Sequence, residues 1–355
     1  MTEFASRHAA FRGDVQAALD EFMTSHAERV AQISTELAPA TSALAALLTG
    51  GKRLRAACCY WGYYGANGDN EPAIVRASAA LELLQASALI HDDVMDRSDT
   101  RRGQPSMHRQ FEAFHTAHGM HGDTVNFGAA AAILIGDLAL AWTDTMYYES
   151  GFDAEALARG KRILDDMRTE LMAGQFLDVL EQARGGGDVE RAQRVMRFKT
   201  TAYTIERPLH LGAALAGATD STFEAYTAFG VPLGEAFQLR DDLLGVFGDE
   251  AETGKPAGDD IREGKRTVLI ALAQGRASAA DRATLDALVG DHRLSPDDIE
   301  AVRDILVRTG ARDEIEMRIT ANRDRAFAAL ATSAITSSAA DMLHQLAIAA
   351  TERTA

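Results

Sequence analysis

The sequence predicts an all-α protein built as one large helical domain. Apolar residues recur at helical spacing almost throughout the 355 residues, with no alternating strand pattern of useful length. Hydrophobic residues make up 46% of the chain and aromatics only 6%, so Ala, Leu and other small or aliphatic side chains must form the core. No Ser/Gly/Pro-rich stretch is long enough to separate two domains.

Periodicity places helices near 14–36, 54–67, 72–97, 125–149, 154–181, 188–199, 200–218, 222–248, 265–275, 279–289, 294–309, 311–334 and 337–351. Two starts carry a capping residue ahead of a proline in the first turn, Asp69-Asn70-Glu71-Pro72 and Ser295-Pro296-Asp297-Asp298. Gly185-Gly186-Gly187 reads as a turn between helices. The polar stretch 97–124 reads as a solvated loop; it holds His108, His115, His118 and His121, the last three at metal-like spacing, but no Cys or carboxylate completes a ligand set.

The net charge of −16 argues against a nucleic-acid partner. Cys58 and Cys59 are adjacent, point apart on a helix and read as core residues in a reducing cytoplasm. No apolar segment marks a signal peptide in the first twenty residues. The most apolar stretch, 127–142, is interrupted by Asp137 and reads as too short to span a bilayer.

Two acidic clusters dominate the chemistry: Asp92-Asp93-Val94-Met95-Asp96 and Asp241-Asp242. On a helix Asp92 and Asp96 share a face, with Asp93 beside them. Such crowding is unfavourable unless divalent cations sit between the carboxylates. Hard oxygen donors suit magnesium, which keeps waters and bridges carboxylates to phosphates. Two clusters facing each other would hold one diphosphate through shared ions. Cations stand nearby in sequence. Gly51-Lys52-Arg53-Leu54-Arg55 precedes a helix, Arg101-Arg102-Gly103 follows the first cluster, and Lys199-Thr200, Gln238, Lys255 and Lys265 come later.

In this order the motifs resemble the trans-isoprenyl diphosphate synthases, or polyprenyl synthetases. The resemblance rests on Gly51–Arg55, Asp92–Asp96 with Arg101-Arg102-Gly103, Gln175-Phe176-Leu177-Asp178, Lys199-Thr200, Phe237-Gln238-Leu239-Arg240-Asp241-Asp242, and Lys255 with Lys265. It covers a core of about 45–270, with C-terminal helices over 271–355. It implies the isoprenoid synthase fold, a single-domain helical bundle spanning 1–355 around a central apolar cavity. One departure stands out: the second motif of the family reads DDxxD, but Gly245 occupies its third position. Asp249 lies about 12 Å beyond Asp241 along a helix, too far to replace it directly.

The resemblance implies condensation of an allylic diphosphate (dimethylallyl, geranyl or farnesyl) with isopentenyl diphosphate. Magnesium, three ions per site, would be held by Asp92, Asp93, Asp96, Asp241 and Asp242, with Asp241 the main ligand of the second motif. Gly51, Lys52, Arg55, Gln85 and Arg102 match the isopentenyl diphosphate site. Arg101, Gln175, Asp178, Lys199, Lys255 and Lys265 match the allylic diphosphate site. Thr200 and Gln238 match positions facing the developing cation. Bulky aromatics at the family positions matching Ser87 and Ala88 close the product tunnel; both are small here, and Leu84 is expected as a floor one turn deeper. The expected product is therefore geranylgeranyl diphosphate (C20), with a longer polyprenyl diphosphate as alternative. A cytoplasmic homodimer is expected. A class I terpene cyclase would need neither Asp241-Asp242 nor the Lys52/Arg55 segment. A non-catalytic subunit of a heteromeric synthase would fit Gly245 but not two retained Asp pairs.

Overall fold

The computed structural model describes residues 3–248, 258–331, 333 and 335–352; Asp249 and Lys255 lie outside them. Helices account for nearly all of it. In chain order they are α1 (Glu3–Ala31), α2 (Ala38–Leu47), α3 (Leu54–Gly65), α4 (Glu71–Asp96), α5 (Met107–Ala117), α6 (Thr124–Tyr148), α7 (Ala154–Arg184), α8 (Val189–Val195), α9 (Arg207–Ala216) and α10 (Asp220–Phe247). A short helix, Asp259–Arg262, is followed by Val268–Arg276, Ala279–Leu288, Pro296–Arg308, Ala311–Ala331 and Ser337–Thr351.

Local chemistry sets the ends that matter. The Asn70 side chain accepts from the Ala73 N–H, and Pro72 sits in the first turn, so α4 begins where expected. It stops just past Asp96 because Arg97 is left-handed, with φ 56°. The chain then forms a two-residue hairpin of β1 (Thr100–Arg101) and β2 (Gln104–Pro105). Its turn residues Arg102 and Gly103 both have positive φ, 55° and 72°, as a type I′ turn requires. That turn aims Arg101 back at α4.

Three expectations are corrected here. The stretch 97–124 is not simply a solvated loop. It holds the hairpin and α5, and His108 and His115 are buried, hydrogen-bonding Ser106 and the His121 carbonyl. Helix α2 and the first eleven residues of the first helix are additional to those read from periodicity. The apolar stretch 127–142 belongs to a 25-residue helix long and apolar enough to cross a membrane by length and composition. So is α4, but α4 is mostly buried, whereas only 28% of the most apolar window of α6 is buried.

Between α8 and α9 the helix does not break but widens: Met196–Glu206 is π-helical. Long π stretches are rare and recur at functional sites. Two glycines admit this wider coil. A Cβ at Gly174 of α7 would stand 2.8 Å from Lys199 Cα, and one at Gly234 of α10 would stand 2.9 Å from Thr201 Cα.

The buried side chains form two clusters. One draws on α1 to α7, α9 and the C-terminal helix Ser337–Thr351, with Phe229 and Leu233 of α10; the other draws on Ala192 of α8 and on the helices between Asp259 and Ile319, with Leu239, Leu243 and Val246 of α10. Helix α10 therefore runs through both, and its acidic pair lies in the second. Cys58 and Cys59 are buried free thiols of α3, with the Cys59 pKa pushed up to about 12 by burial.

Candidate active site

A cavity of ≈ 920 Å³ opens between α4, α7, the π-helical segment and α10. From α4 come Gln85, Ala88, Leu89 and Asp92, each three or four residues apart except the Ala88-Leu89 step, hence one helix face. Gln175 and Asp178 face it from α7, Lys199, Thr200 and Tyr203 from the π segment, and Gln238, Asp241 and Asp242 from α10. Lys52, Arg55, Asp260 and Lys265 are among the other charged residues that line it. Residues 149 apart in sequence, Asp92 and Asp241, thus share one space.

Lys199 is central to it. Its Nζ lies 3.1 Å from Asp92 Oδ1 and 2.6 Å from Asp178 Oδ2, and Gln175 Nε2 donates to the same Asp92 oxygen at 2.9 Å. Lys265 Nζ stands 3.6 Å from Asp96, 3.3 Å from Asp260 and 2.5 Å from Glu263. Burial opposes charge on Asp92, but Lys199, Lys265 and Arg101 outweigh it and hold its carboxyl below the usual range. Asp96 moves the other way, raised by burial and by the Asp92 charge. Asp242 is fully buried, and burial raises its pKa to about 8; Gln238, donating at 2.7 Å, offsets this in part, while Asp260 and Asp241 add to it.

Some expected residues lie elsewhere. Asp93 is 2% exposed and turned from the cavity, with Arg101 Nε 3.0 and 3.2 Å from its two oxygens and a further bond from the same guanidinium. The metal-ligand expectation for Asp93 does not match this geometry. One step past Asp92 on the helix, it lies on the hairpin side, where it anchors Arg101. Asp96 is also buried, behind Lys265 rather than on the cavity wall. Arg102 packs against the Gly51 turn and donates to the Leu47 carbonyl at 2.9 Å. Of the chain-length positions, Ala88 borders the cavity; Ser87 and Leu84 are 3% and 1% exposed within the core.

The structure also adds residues that motif spacing did not single out. Tyr203 donates to Gln85 Oε1 at 2.7 Å and lies under the Arg55 guanidinium, 4.3 Å from ring centroid to Cζ. Arg55 itself donates to Thr204 at 2.8 Å. Arg53, between the two cavity cations, is buried in a 2.7 Å ion pair with Glu82. Asp260 and Glu263 surround Lys265. The signal for Tyr203 was its spacing of four from Lys199.

The donor set fits magnesium. Asp92, Asp241, Asp242 and Asp260 bring hard oxygens to one cavity, and the buried Asp96 Oδ2 accepts no hydrogen bond from the described residues. Among the described residues no three such side chains form a cage by themselves. Magnesium that keeps waters and binds with a diphosphate needs no such cage.

Comparison with known proteins places this geometry. The Polyprenyl synthetase family profile matches residues 39–306. A geranylfarnesyl diphosphate synthase of Aeropyrum pernix is 34% identical over 273 residues, 76% of this chain and 79% of that one. A geranylgeranyl diphosphate synthase of Saccharolobus solfataricus is 32% identical over 260 residues, 72% and 73% of the two chains. Among solved structures, a geranylgeranyl pyrophosphate synthase from Corynebacterium glutamicum, complexed with isoprenyl diphosphate and magnesium, superposes with a TM-score of 0.94. It is 44% identical, covering 97% of this chain and 99% of that one.

Proposed function

The chain belongs to the polyprenyl synthetase family and is a trans-prenyltransferase, and from that premise we propose a division of its cavity into two diphosphate sites. The observation that carries this is the pairing of Lys52, Arg55 and Gln85 with Asp92, Asp241 and Asp242 around one space. Lys52 and Arg55 bind isopentenyl diphosphate, with Gln85 aligned by Tyr203. Asp92, Asp96, Asp241 and Asp242 would hold magnesium, three ions in all, which when bound neutralises the departing allylic diphosphate.

The chain's own groups supply the rest. Lys199 and Lys265 keep fixed positive charge beside the leaving group, since neighbouring carboxylates raise both pKas against burial. Arg101 adds charge from the hairpin, and Lys255, outside the described residues, is proposed from its motif alone. Thr200, Gln238 and Phe237 line the wall beside the developing cation and restrict water. Among the described residues no His lines the cavity, and the proton lost on coupling goes to the departing diphosphate.

The product we propose is geranylgeranyl diphosphate, supported by the small Ala88 on the cavity wall and by the 44% identity to a synthase of that name. A C25 product is the second reading, favoured by the Aeropyrum relative. The reading also includes one domain spanning the chain, supported by α10 running through both cores, and a cytoplasmic enzyme, supported by two buried free thiols. It further includes a homodimer built on α6 and α7. Val125, Ile133, Leu134, Met172 and Phe176 are exposed large apolar side chains on those helices, and they support this reading. Chromatography of dephosphorylated products from dimethylallyl and isopentenyl diphosphates tests the activity: a C20 alcohol is expected, and no elongation would overturn the reading.

A further inference from the structure

The π-helical segment also carries an ionic contact on the flank away from the cavity. Of its residues, Met196, Lys199, Thr200 and Tyr203 line the cavity. Near its two ends stand Arg197 and Glu206, nine apart, with Arg197 Nη2 2.5 Å from Glu206 Oε2. Nine residues make about two and a half turns of an α-helix and about 13.5 Å of rise, which would put these side chains on opposite faces and out of reach. In the wider coil, whose hydrogen bonds run to the fifth residue, nine residues make about two turns, so both side chains share one flank. The ion pair is therefore a contact that the widened coil makes and a regular helix cannot. Pro208, in the first turn of α9, favours the same coil, since in a regular helix its ring would meet the carbonyl four residues back.

We propose that Arg197 and Glu206 are positioning residues for prenyl transfer: their ion pair holds the coil that aims Lys199 at Asp92. The inference rests on reading Lys199 as a group that acts on the departing diphosphate. Glu206 is the fixed half of the pair. It is buried, and its Oε1 accepts from Thr227 Oγ1 of α10 at 3.2 Å. Thr227 has one hydroxyl proton, so His210 of α9 donates from Nε2 to the Thr227 oxygen, 3.0 Å away, and accepts at Nδ1 from Arg207, 3.2 Å away. Burial lowers the His210 pKa, as this neutral ring requires. Arg207 Nε in turn donates to Glu170 of α7 at 2.8 Å. These bonds tie Glu206 to α10 and α7 whatever the coil before it does. Relaxation of the segment to a regular helix would strand a buried carboxylate without its cation, which is strongly unfavourable. Arg197 is thus drawn to Glu206, and Lys199, on the opposite flank, is carried toward Asp92 and Asp178.

Non-additivity with Lys199 tests this. The rate of a single condensation of dimethylallyl with isopentenyl diphosphate is measured on the full-length chain at saturating substrates and Mg2+, with thermal unfolding followed in parallel. Lys199→Ala is expected to slow the step; if it does not, the reading of Lys199 itself falls. Given that loss, Glu206→Gln keeps the side-chain volume and the Thr227 bond but removes the charge. It is expected to slow the step about tenfold or more, since misplacement by about 1 Å can cost about a hundredfold. In the Lys199→Ala background the same change is expected to slow the step less than about threefold, because the group it positions is gone. Arg197→Gln is expected to repeat both results, covering the case in which Glu206→Gln fails to fold. Arg197→Lys, which keeps the charge for this single contact, is expected to retain most of the rate. An unchanged rate in either folded Gln variant, or a loss that multiplies in full in the Lys199→Ala background, would overturn the inference while leaving the role of Lys199 standing.

Discussion

Lys199 Nζ and Asp92 Oδ1 lie 3.1 Å apart, across the gap between the π-helical segment and α4. The lysine reaches that position because Gly174 lets the segment press against α7, with Phe198 C 2.7 Å from where a Cβ would stand. Gly174→Ala is therefore expected to push Lys199 away from Asp92. Overpacking of this kind costs about 1–3 kcal/mol, so a lowered Tm should accompany turnover reduced by tenfold or more. Unchanged steady-state kinetics would show that the close approach does not position Lys199.

The raised pKa of Asp242 predicts a pH-dependent stability. The folded carboxyl holds its proton up to about pH 8, whereas in the unfolded chain it titrates near about 3.9. Between those values the folded state binds more protons, so this group lowers stability as pH rises. In magnesium-free protein, Asp242→Asn should raise Tm more at pH 8 than at pH 5. Scanning calorimetry at both values checks it, and an equal gain would remove the burial argument.

Separate diphosphate sites predict separate kinetic effects. Lys52→Ala and Arg55→Ala should raise the KM for isopentenyl diphosphate far more than that for the allylic substrate. A lost charge-assisted hydrogen bond costs about 1.5–3 kcal/mol, roughly tenfold or more in affinity. Equal shifts in both constants would reject the division.

Chain length is tested on α4. Ala88 borders the cavity, so Ala88→Phe should narrow it and move product from C20 toward C15 with turnover retained. Ser87 is buried in the core at 3% exposure, so Ser87→Phe is expected chiefly to lower stability. If Ser87→Phe instead shortens the product without loss of Tm, the tunnel runs past Ser87, as family resemblance implies.

The exposed face of α6 gives a solution test. Leu134→Arg should convert the proposed dimer to monomer in sedimentation experiments, since a buried charge without a partner opposes association. Retention of the dimer would move the interface elsewhere.

Much of this was legible in the sequence because helices announce themselves through spacing and caps. Asn70-Glu71-Pro72 and Ser295-Pro296 mark real starts, and Asp92, Gln175, Asp178, Lys199 and Asp241 meet as their motifs implied. Helix α5 was missed although Met107, Phe111 and Phe114 follow helical spacing, because histidines and polar residues around them masked it. The turning of Asp93 toward Arg101 depends on a hairpin that only three-dimensional geometry reveals. Asp260 was not reached by motif spacing, and only the three-dimensional arrangement puts its side chain against Gly245.

The π-helical stretch gives the chain a point of unusual sensitivity to length. An ordinary helix turns about 100° per residue, given 3.6 residues per turn. Removal of any single residue within 196–206 would leave composition almost untouched and let the stretch relax toward a regular coil. Every side chain on one flank would then rotate relative to the other, parting Lys199, Thr200 and Tyr203 from the wall they share. Across related chains this segment should accept substitutions yet reject gaps, so its count of residues is under tighter constraint than the identity of most of them.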